Sequence, residues 1–301
     1  MPPLPLVAAT ESVVTLFAFI TLLGDAWVLL VGLSLLYWIG PRVDDDTRAV
    51  AATVIALATL ALAVVLAVKS YTAIPRPAAT PIDPAGLPGG LTGFVAGELD
   101  SSGFAFPSGH ATGVTAVYGG LAALLTIGRR RLRYAAAATM IALVSGSRVI
   151  LGVHYPRDIV AGMALGVGLV VLARWVAADE SILQADRVFL LAGVASVIGL
   201  VVAAAGGHTE EVRHAVIGLG TAVGAGATWY RGGERLTAAP AVSIPVAAGG
   251  LVVAGGLWIG AYEGVFGLVG AAVGSAVGVI IILGLPLIEQ WRKKEGNAAV
   301  A

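Results

Sequence analysis

No cysteine occurs in the 301 residues, which excludes disulfides, thiolate metal ligands and cysteine nucleophiles together. Charge is scarce as well. Asp, Glu, Lys and Arg make up 12% of the chain, half of the roughly 25% found in ordinary soluble domains. Eighteen basic residues meet eighteen acidic ones, so there is no basic excess of the kind that marks a nucleic-acid binder, and no nucleic-acid partner is expected. The opening MPPLPLVAATE lacks a basic n-region, and no signal peptide is expected from it.

What is present is apolar. Hydrophobic residues make up 58% of the chain, gathered into runs approaching the 20 or so residues that cross a bilayer as a helix. Nothing alternates apolar and polar over about 10 residues, as a transmembrane β-barrel would require. The sequence therefore predicts an all-α, polytopic helical membrane protein. Nine spans are expected. The first lies within 13–39 and is interrupted at Gly24-Asp25; the others run over about 49–68, 108–127, 134–152, 158–177, 188–205, 214–228, 241–259 and 264–288. Residues 70–107, rich in Pro and Gly, are expected to form a long loop.

Basic residues in short loops orient such a chain, because they stay cytoplasmic. GRRRLR (128–133), WYRGGERL (229–236) and WRKKEG (291–296) all fall on one face of a nine-span arrangement. The opposite face, expected to be external, receives Lys69, the 70–107 loop, Arg148 and His154.

Three polar segments meet on that face. KSYTAIPRP ends a span with Lys69 and continues to Arg76-Pro77. FAFPSGH opens another with Pro107, Ser108, Gly109 and His110. SRVILGVHYPRD ends a span at Ser147-Arg148 and opens the next with His154 and Asp158. Two arginines and a lysine suit an anion, the planar guanidinium fork matching phosphate oxygens and the lysine acting as a point charge. Ser108 and Gly109, in the first turn of a helix, offer a cap and free N–H groups whose dipole favours phosphate. His154 and Asp158, four apart, share a helical face, and a carboxylate beside an imidazole fixes its tautomer. The other ring nitrogen is then free to attack phosphorus, with His110 as a second imidazole able to protonate a leaving oxygen. No metal-ligand cluster is evident at this face.

These segments resemble the signature of the type 2 phosphatidic acid phosphatase (PAP2) superfamily, K-x6-RP, PSGH and SR-x5-H-x3-D, in order and without a departure. The resemblance implies that Lys69, Arg76, Ser108, Gly109 and Arg148 bind phosphate. It implies that His154 is the nucleophile forming a phosphohistidine, that Asp158 orients it, and that His110 protonates the leaving group. No cofactor and no metal are implied. The implied activity is a lipid phosphate phosphatase of the cell membrane with an external site, acting on a polyprenyl diphosphate, phosphatidic acid or phosphatidylglycerol phosphate. A lipid phosphotransferase would use the same residues with another acceptor, and a non-catalytic lipid-phosphate transporter would keep only the anion site. Six-span relatives carry three spans before the first motif, whereas residues 1–68 here offer either a broken pair or one span fewer.

The resemblance covers a PAP2-like core, 1–205, and leaves 206–301 as additional C-terminal transmembrane helices of unassigned role. Gly260/Gly264 and Gly270/Gly274/Gly278 are small-xxx-small spacings that permit close helix packing, within the chain or in a homo-oligomer. GGHTEEVRH (206–214) reads as a solvated loop. Those of Trp27, Trp38, Tyr118, Trp175, Trp229 and Tyr230 that lie near span ends read as interface anchors.

Overall fold

The computed structural model describes residues 11–77, 82–87, 89–100, 102–179 and 182–298; most of the opening segment examined for a signal peptide lies outside these. Among the described residues there is no strand, and the chain forms eleven α helices. They are α1 (Glu11–Thr21), α2 (Ala26–Ile39), α3 (Thr47–Thr72), α4 (Gly89–Glu98), α5 (Gly109–Leu124), α6 (Arg130–Ile150), α7 (Pro156–Ala177), α8 (Ala185–Ala205), α9 (Thr209–Thr237), α10 (Ile244–Tyr262) and α11 (Gly267–Ala298). This is the all-α, polytopic membrane architecture that the composition predicts.

Among the described residues, five helices are long and apolar enough to cross a membrane: α3, α7, α8, α10 and the Gly267–Lys293 part of α11. Helices α1 and α2, with their flanking 3-10 turns, form one further broken span bent by 48°. Three of the nine expected spans, α5, α6 and α9, fall outside that set. Helix α5 has only 16 residues. Helix α6 carries Arg130, Arg131, Arg133 and Arg148, and α9 carries ionisable residues in both end turns. Helices α5 and α9 nevertheless pack against apolar spans, α5 on α3 and α7 and α9 on α8 and α11, while α6 packs chiefly on α5.

Helix α3 is the hub. Its sequence is apolar on every side and dominated by Ala and Val, and a helix without a polar face belongs in the interior. It packs against α2, α5, α7, α8 and α9. One buried cluster runs through it from Leu33 and Trp38 on α2 to Phe189 on α8, Trp229 on α9 and Leu283 on α11. Trp38 and Trp229 are thus core residues rather than interface anchors, with Trp38 Nε1 donating to the Ile282 carbonyl at 2.8 Å. Trp27, Trp175 and Tyr230 are exposed, as anchors would be.

Glycines set the closest helix contacts. A Cβ on Gly166 of α7 would stand 2.6 Å from Thr115 Cβ and 2.9 Å from the Thr112 carbonyl of α5, and one on Gly162 would stand 2.8 Å from the Ser108 carbonyl. Gly274 and Gly278 of α11 face the α10 backbone at Leu257 and Ala254, so this small-residue face packs within the chain. Gly264 lies in the turn after α10 at φ 76°, not on a helix face.

The two ends of the bundle differ. At one end the 40–46 turn meets the 237–243 connection: Arg42 donates to the Val242 carbonyl, and the fully buried Arg48 donates to the carbonyls of Tyr37, Leu236, Ala239 and Pro240. Thr126 reaches Asp44 at the same end. The basic loops therefore share one end, and the three polar segments gather at the other.

Replacing Gly166 with Ala is expected to lower stability by about 1–3 kcal/mol, the usual cost of overpacking. Gly168→Ala, where a Cβ meets nothing within 4 Å, is expected to be neutral or mildly stabilising. Thermal unfolding of the two purified variants in detergent checks the contrast.

Candidate active site

Four helix ends converge at the motif end. Helix α3 stops at Thr72 because Ala73 takes a left-handed conformation, its N–H closing on the Lys69 carbonyl at 2.9 Å. The chain then runs beside the segment before α5: Ala105 N donates to the Ile74 carbonyl at 2.7 Å, and Pro75 and Phe104 form an isolated bridge. This pairing sets Arg76 next to the PSGH segment.

Ser108 is the N-cap of α5 and fully buried. Its hydroxyl accepts from Ala111 N at 3.4 Å, and its own N–H donates to the Asp158 carbonyl at 3.1 Å. The second and third segments are thereby joined through backbone. A Cβ on Gly109 would meet only Val65, at 3.7 Å, so packing does not demand a glycine there.

Arg148 lies in the last turn of α6 and is 4% exposed. The chain reverses through Gly152 at φ 73°, and the Val153 and His154 N–H groups both return to the Arg148 carbonyl at 3.2 Å. Only glycine adopts that φ without strain, so the sequence LGVH places His154 back beside Arg148. Helix α7 then opens with Tyr155 as N-cap and Pro156 in its first turn. Asp158, fully buried, accepts from Tyr155 N at 2.9 Å, and the same Oδ2 lies 3.6 Å from His154 Nδ1. That is longer than a hydrogen bond, and such contacts commonly tighten only when substrate is bound.

Lys69, Arg76, Arg148 and His110 all act electrostatically on His154. Burial first, and these positive groups next, push its imidazole well below the ordinary histidine range, which favours the neutral ring near pH 7. Arg76 donates to the Asp100 carbonyl at 2.9 Å, and Arg148 Nη1 donates to Glu98 and to Thr21 Oγ1, each at 2.9 Å. The Nε atoms of Arg76 and Arg148 are buried without a partner among the described residues. Burial and the nearby Asp25 push the Glu98 carboxyl up, against the opposing pull of Arg148.

The structure thus brings Lys69, Arg76, Ser108, Gly109, His110, Arg148, His154 and Asp158 to one end of the bundle, and adds residues that the sequence did not suggest. Asp25 Oδ1 lies 2.9 Å from His110 Nε2. Glu98 ends α4, a short helix inside the segment expected to be a loop, held on α1 by Phe94 against Phe19 at 4.9 Å. The loop after α8 is not simply solvated, since His208 sits edge-on to Phe104 at 4.8 Å. Asp25, Glu98 and His110 also place ligand-type atoms within 4.8 Å of one another. Folding draws this group from three distant segments, which is why no cluster was evident in the sequence. All three members are already paired, Asp25 with His110 and Glu98 with Arg148, and the Arg148 cation opposes a metal ion there.

Residues 49–181 match the family model of the PAP2 superfamily. Phosphatidylglycerophosphatase B of Escherichia coli (strain K12) is 40% identical over 81 residues, which is 25% of this chain and 30% of that protein. Lipid A 1-phosphatase of Rhizobium etli is 41% identical over 61 residues, 20% of this chain and 24% of that protein. The chain thus spans less than a third of the length of these curated relatives. No solved structure matches. The stretch that matches the PAP2 superfamily model, residues 49–181, carries all three polar segments and their converging helix ends.

Proposed function

We propose that this protein is an integral membrane lipid phosphate phosphatase that hydrolyses a phosphomonoester or diphosphate through a phosphohistidine on His154. The observation that carries the reading is a neutral, buried imidazole backed by Asp158 and surrounded by Lys69, Arg76 and Arg148, two of which keep an unpartnered Nε. Buried guanidinium donors without partners are costly, and phosphate oxygens would satisfy them in bidentate fashion. The printed names of both relatives, each a phosphatase of a phosphorylated lipid, support the same reading.

In this mechanism Lys69, Arg76 and Arg148 clamp the phosphoryl oxygens, with the first-turn N–H groups and hydroxyl of the Ser108–Gly109 cap adding donors. His154 Nε2 attacks phosphorus, while Asp158 beside Nδ1 stabilises the charge that develops on the ring. The bond from phosphorus to the leaving oxygen breaks, its electron pair stays on that oxygen, and His110 supplies the proton. Water then attacks the phosphohistidine, giving a proton to His110, and the P–N pair returns to His154. The substrate is a lipid because the site sits at the mouth of membrane-crossing helices, where a phosphate can lie at the interface while the acyl or prenyl chain stays in the bilayer. The basic loops at the opposite end support an external face for this site. We retain 1–205 as the catalytic core, with 206–301 an added helical layer.

Purified protein in detergent with a chelator is expected to release inorganic phosphate from a lipid phosphate. His154→Ala is expected to abolish the release, and Arg148→Ala to lower kcat/KM by about 10–100-fold, the loss of a charge-assisted bond. Full activity in either variant overturns the mechanism.

A second expectation concerns pH. Because His154 is held below an unperturbed imidazole, near pH 6.5, the acid limb of kcat/KM belonging to this group should lie well below that value. Removing one of the cations that depress it raises its pKa, so Lys69→Met is expected to move that limb to higher pH. A pH profile of phosphate release from both proteins measures the shift.

A further inference from the structure

The break in the first span carries an inference that lies outside the matched family segment. Asp25 is the N-cap of α2, a position where an aspartate ordinarily accepts from the N–H groups of its own helix. Here its side chain makes no such bond. It is turned to His110 instead, Oδ1 at 2.9 Å from Nε2, while Oδ2 accepts from Trp27 Nε1 at 3.2 Å. A favourable local cap has been given up for a contact across 85 residues of sequence.

The surroundings fix that contact. Gly24 sits so close to α5 and α6 that a Cβ there would run into Val144 and Val114 and stand 3.1 Å from His110 Cδ2. The turn is tied to α5 a second time, two turns beyond His110, by Tyr118 Oη donating to the Leu23 carbonyl at 2.8 Å. The 48° bend between α1 and α2 is what brings the carboxylate to the start of α5. The charged groups facing His110 are Asp25, Arg148 and Lys69, with Glu98 in the same cluster. Burial first, and the two cations with it, oppose a protonated imidazole, and the hydrogen bond and charge of Asp25 are what favour it.

We propose that Asp25 is the positioning carboxylate of His110, holding it as the imidazolium with Nε2–H on Asp25 and the transferable proton on Nδ1. The proposal rests on the phosphatase reading. When the P–O bond breaks, the electron pair on the leaving oxygen takes the Nδ1 proton, and His110 becomes the neutral Nε2–H tautomer that Asp25 continues to hold. In the second half, the water that attacks the phosphohistidine returns a proton to Nδ1. Asp25 itself touches neither phosphorus nor leaving group.

The test separates leaving groups. An alkyl lipid phosphate needs its departing alkoxide protonated, whereas p-nitrophenyl phosphate releases a stable phenolate. In terms of kcat/KM, which reports the steps through P–O cleavage, Asp25→Asn is expected to lose about 100-fold or more on dioctanoyl phosphatidic acid, within the range of general-acid contributions. On p-nitrophenyl phosphate it should lose about tenfold or less. The alkaline limb of the alkyl profile is expected to move to lower pH, Asp25→Glu should restore part of the alkyl rate, and Asp25→Asn should add little in a His110→Asn background. Equal losses on both substrates, wild-type rates, or full additivity with His110→Asn would overturn the proposal. If Asp25→Asn does not purify folded, Asp25→Ser is judged by the same outcomes. Wild-type protein that releases phosphate from neither substrate defeats the phosphatase reading, whereas active wild type with an indifferent Asp25→Asn defeats only the role of Asp25.

Discussion

The constraint that shapes this site is the repulsion among three cations gathered around one buried imidazole. Lys69 and Arg76 come from one segment and Arg148 from another, yet all act on His154. Like charges held this close, away from bulk water, are unfavourable unless something opposes them. The chain supplies partial opposition: Glu98 on Arg148, the Asp100 carbonyl on Arg76, and Asp158 behind the imidazole. The first two contacts each take one edge of a guanidinium, and Nε of both arginines is buried without a partner among the described residues. A bound anion of two or more oxygens would relieve the repulsion and the orphaned donors together, which is the electrostatic argument for the proposed phosphate site.

The rest of the architecture holds those charges in place. Four helix ends must arrive at one spot, and each is fixed by backbone chemistry that costs little sequence: a left-handed residue at Ala73, a serine cap at Ser108, a positive φ at Gly152 and a proline start at Pro156. The close approach of α5 and α7 through Gly162 and Gly166 then sets the depth of His110 relative to Asp158. The Ser108 N–H to Asp158 carbonyl bond is the direct link between these two helix starts.

The motif residues were legible in the sequence because short spacings fix them on single helix ends. Arg148 and His154 are tied by one tight turn, and His154 and Asp158 by one helical turn. Asp25 was not legible, since Gly24-Asp25 read only as an interruption, and its meaning lies in a contact with residue 110 that no local pattern encodes. Helix α4 was missed for a related reason. GGLTGFVAGE has three glycines in its first five residues and little propensity of its own, and it is the apolar contact with Phe17, Val14 and Leu151 that gives it a place. The Gly260/Gly264 spacing misled because Gly264 ends a helix instead of lining one. The count of spans suffered from charge placed in end turns. Helices α6 and α9 carry ionisable residues there, which length and composition alone penalise.

The two ends of the bundle use the same residue type for opposite purposes, and the contrast sharpens the functional argument. Arg48 is fully buried, and its Nε, Nη1 and Nη2 are all engaged with carbonyl oxygens of the connections it staples. A structural arginine in an apolar setting is expected to look like that, because each unpaired donor costs about 1–3 kcal/mol or more when charged. Arg148 is 4% exposed, comparably buried, yet satisfied on one edge only. Arg148 instead ties to Thr21 and Glu98 through Nη1 and leaves Nε without a partner among the described residues. What distinguishes the motif end is that its free donors belong to neighbouring arginines and surround the buried His154 imidazole, so the cost of leaving them free is concentrated where the anion of the proposed substrate would recover it.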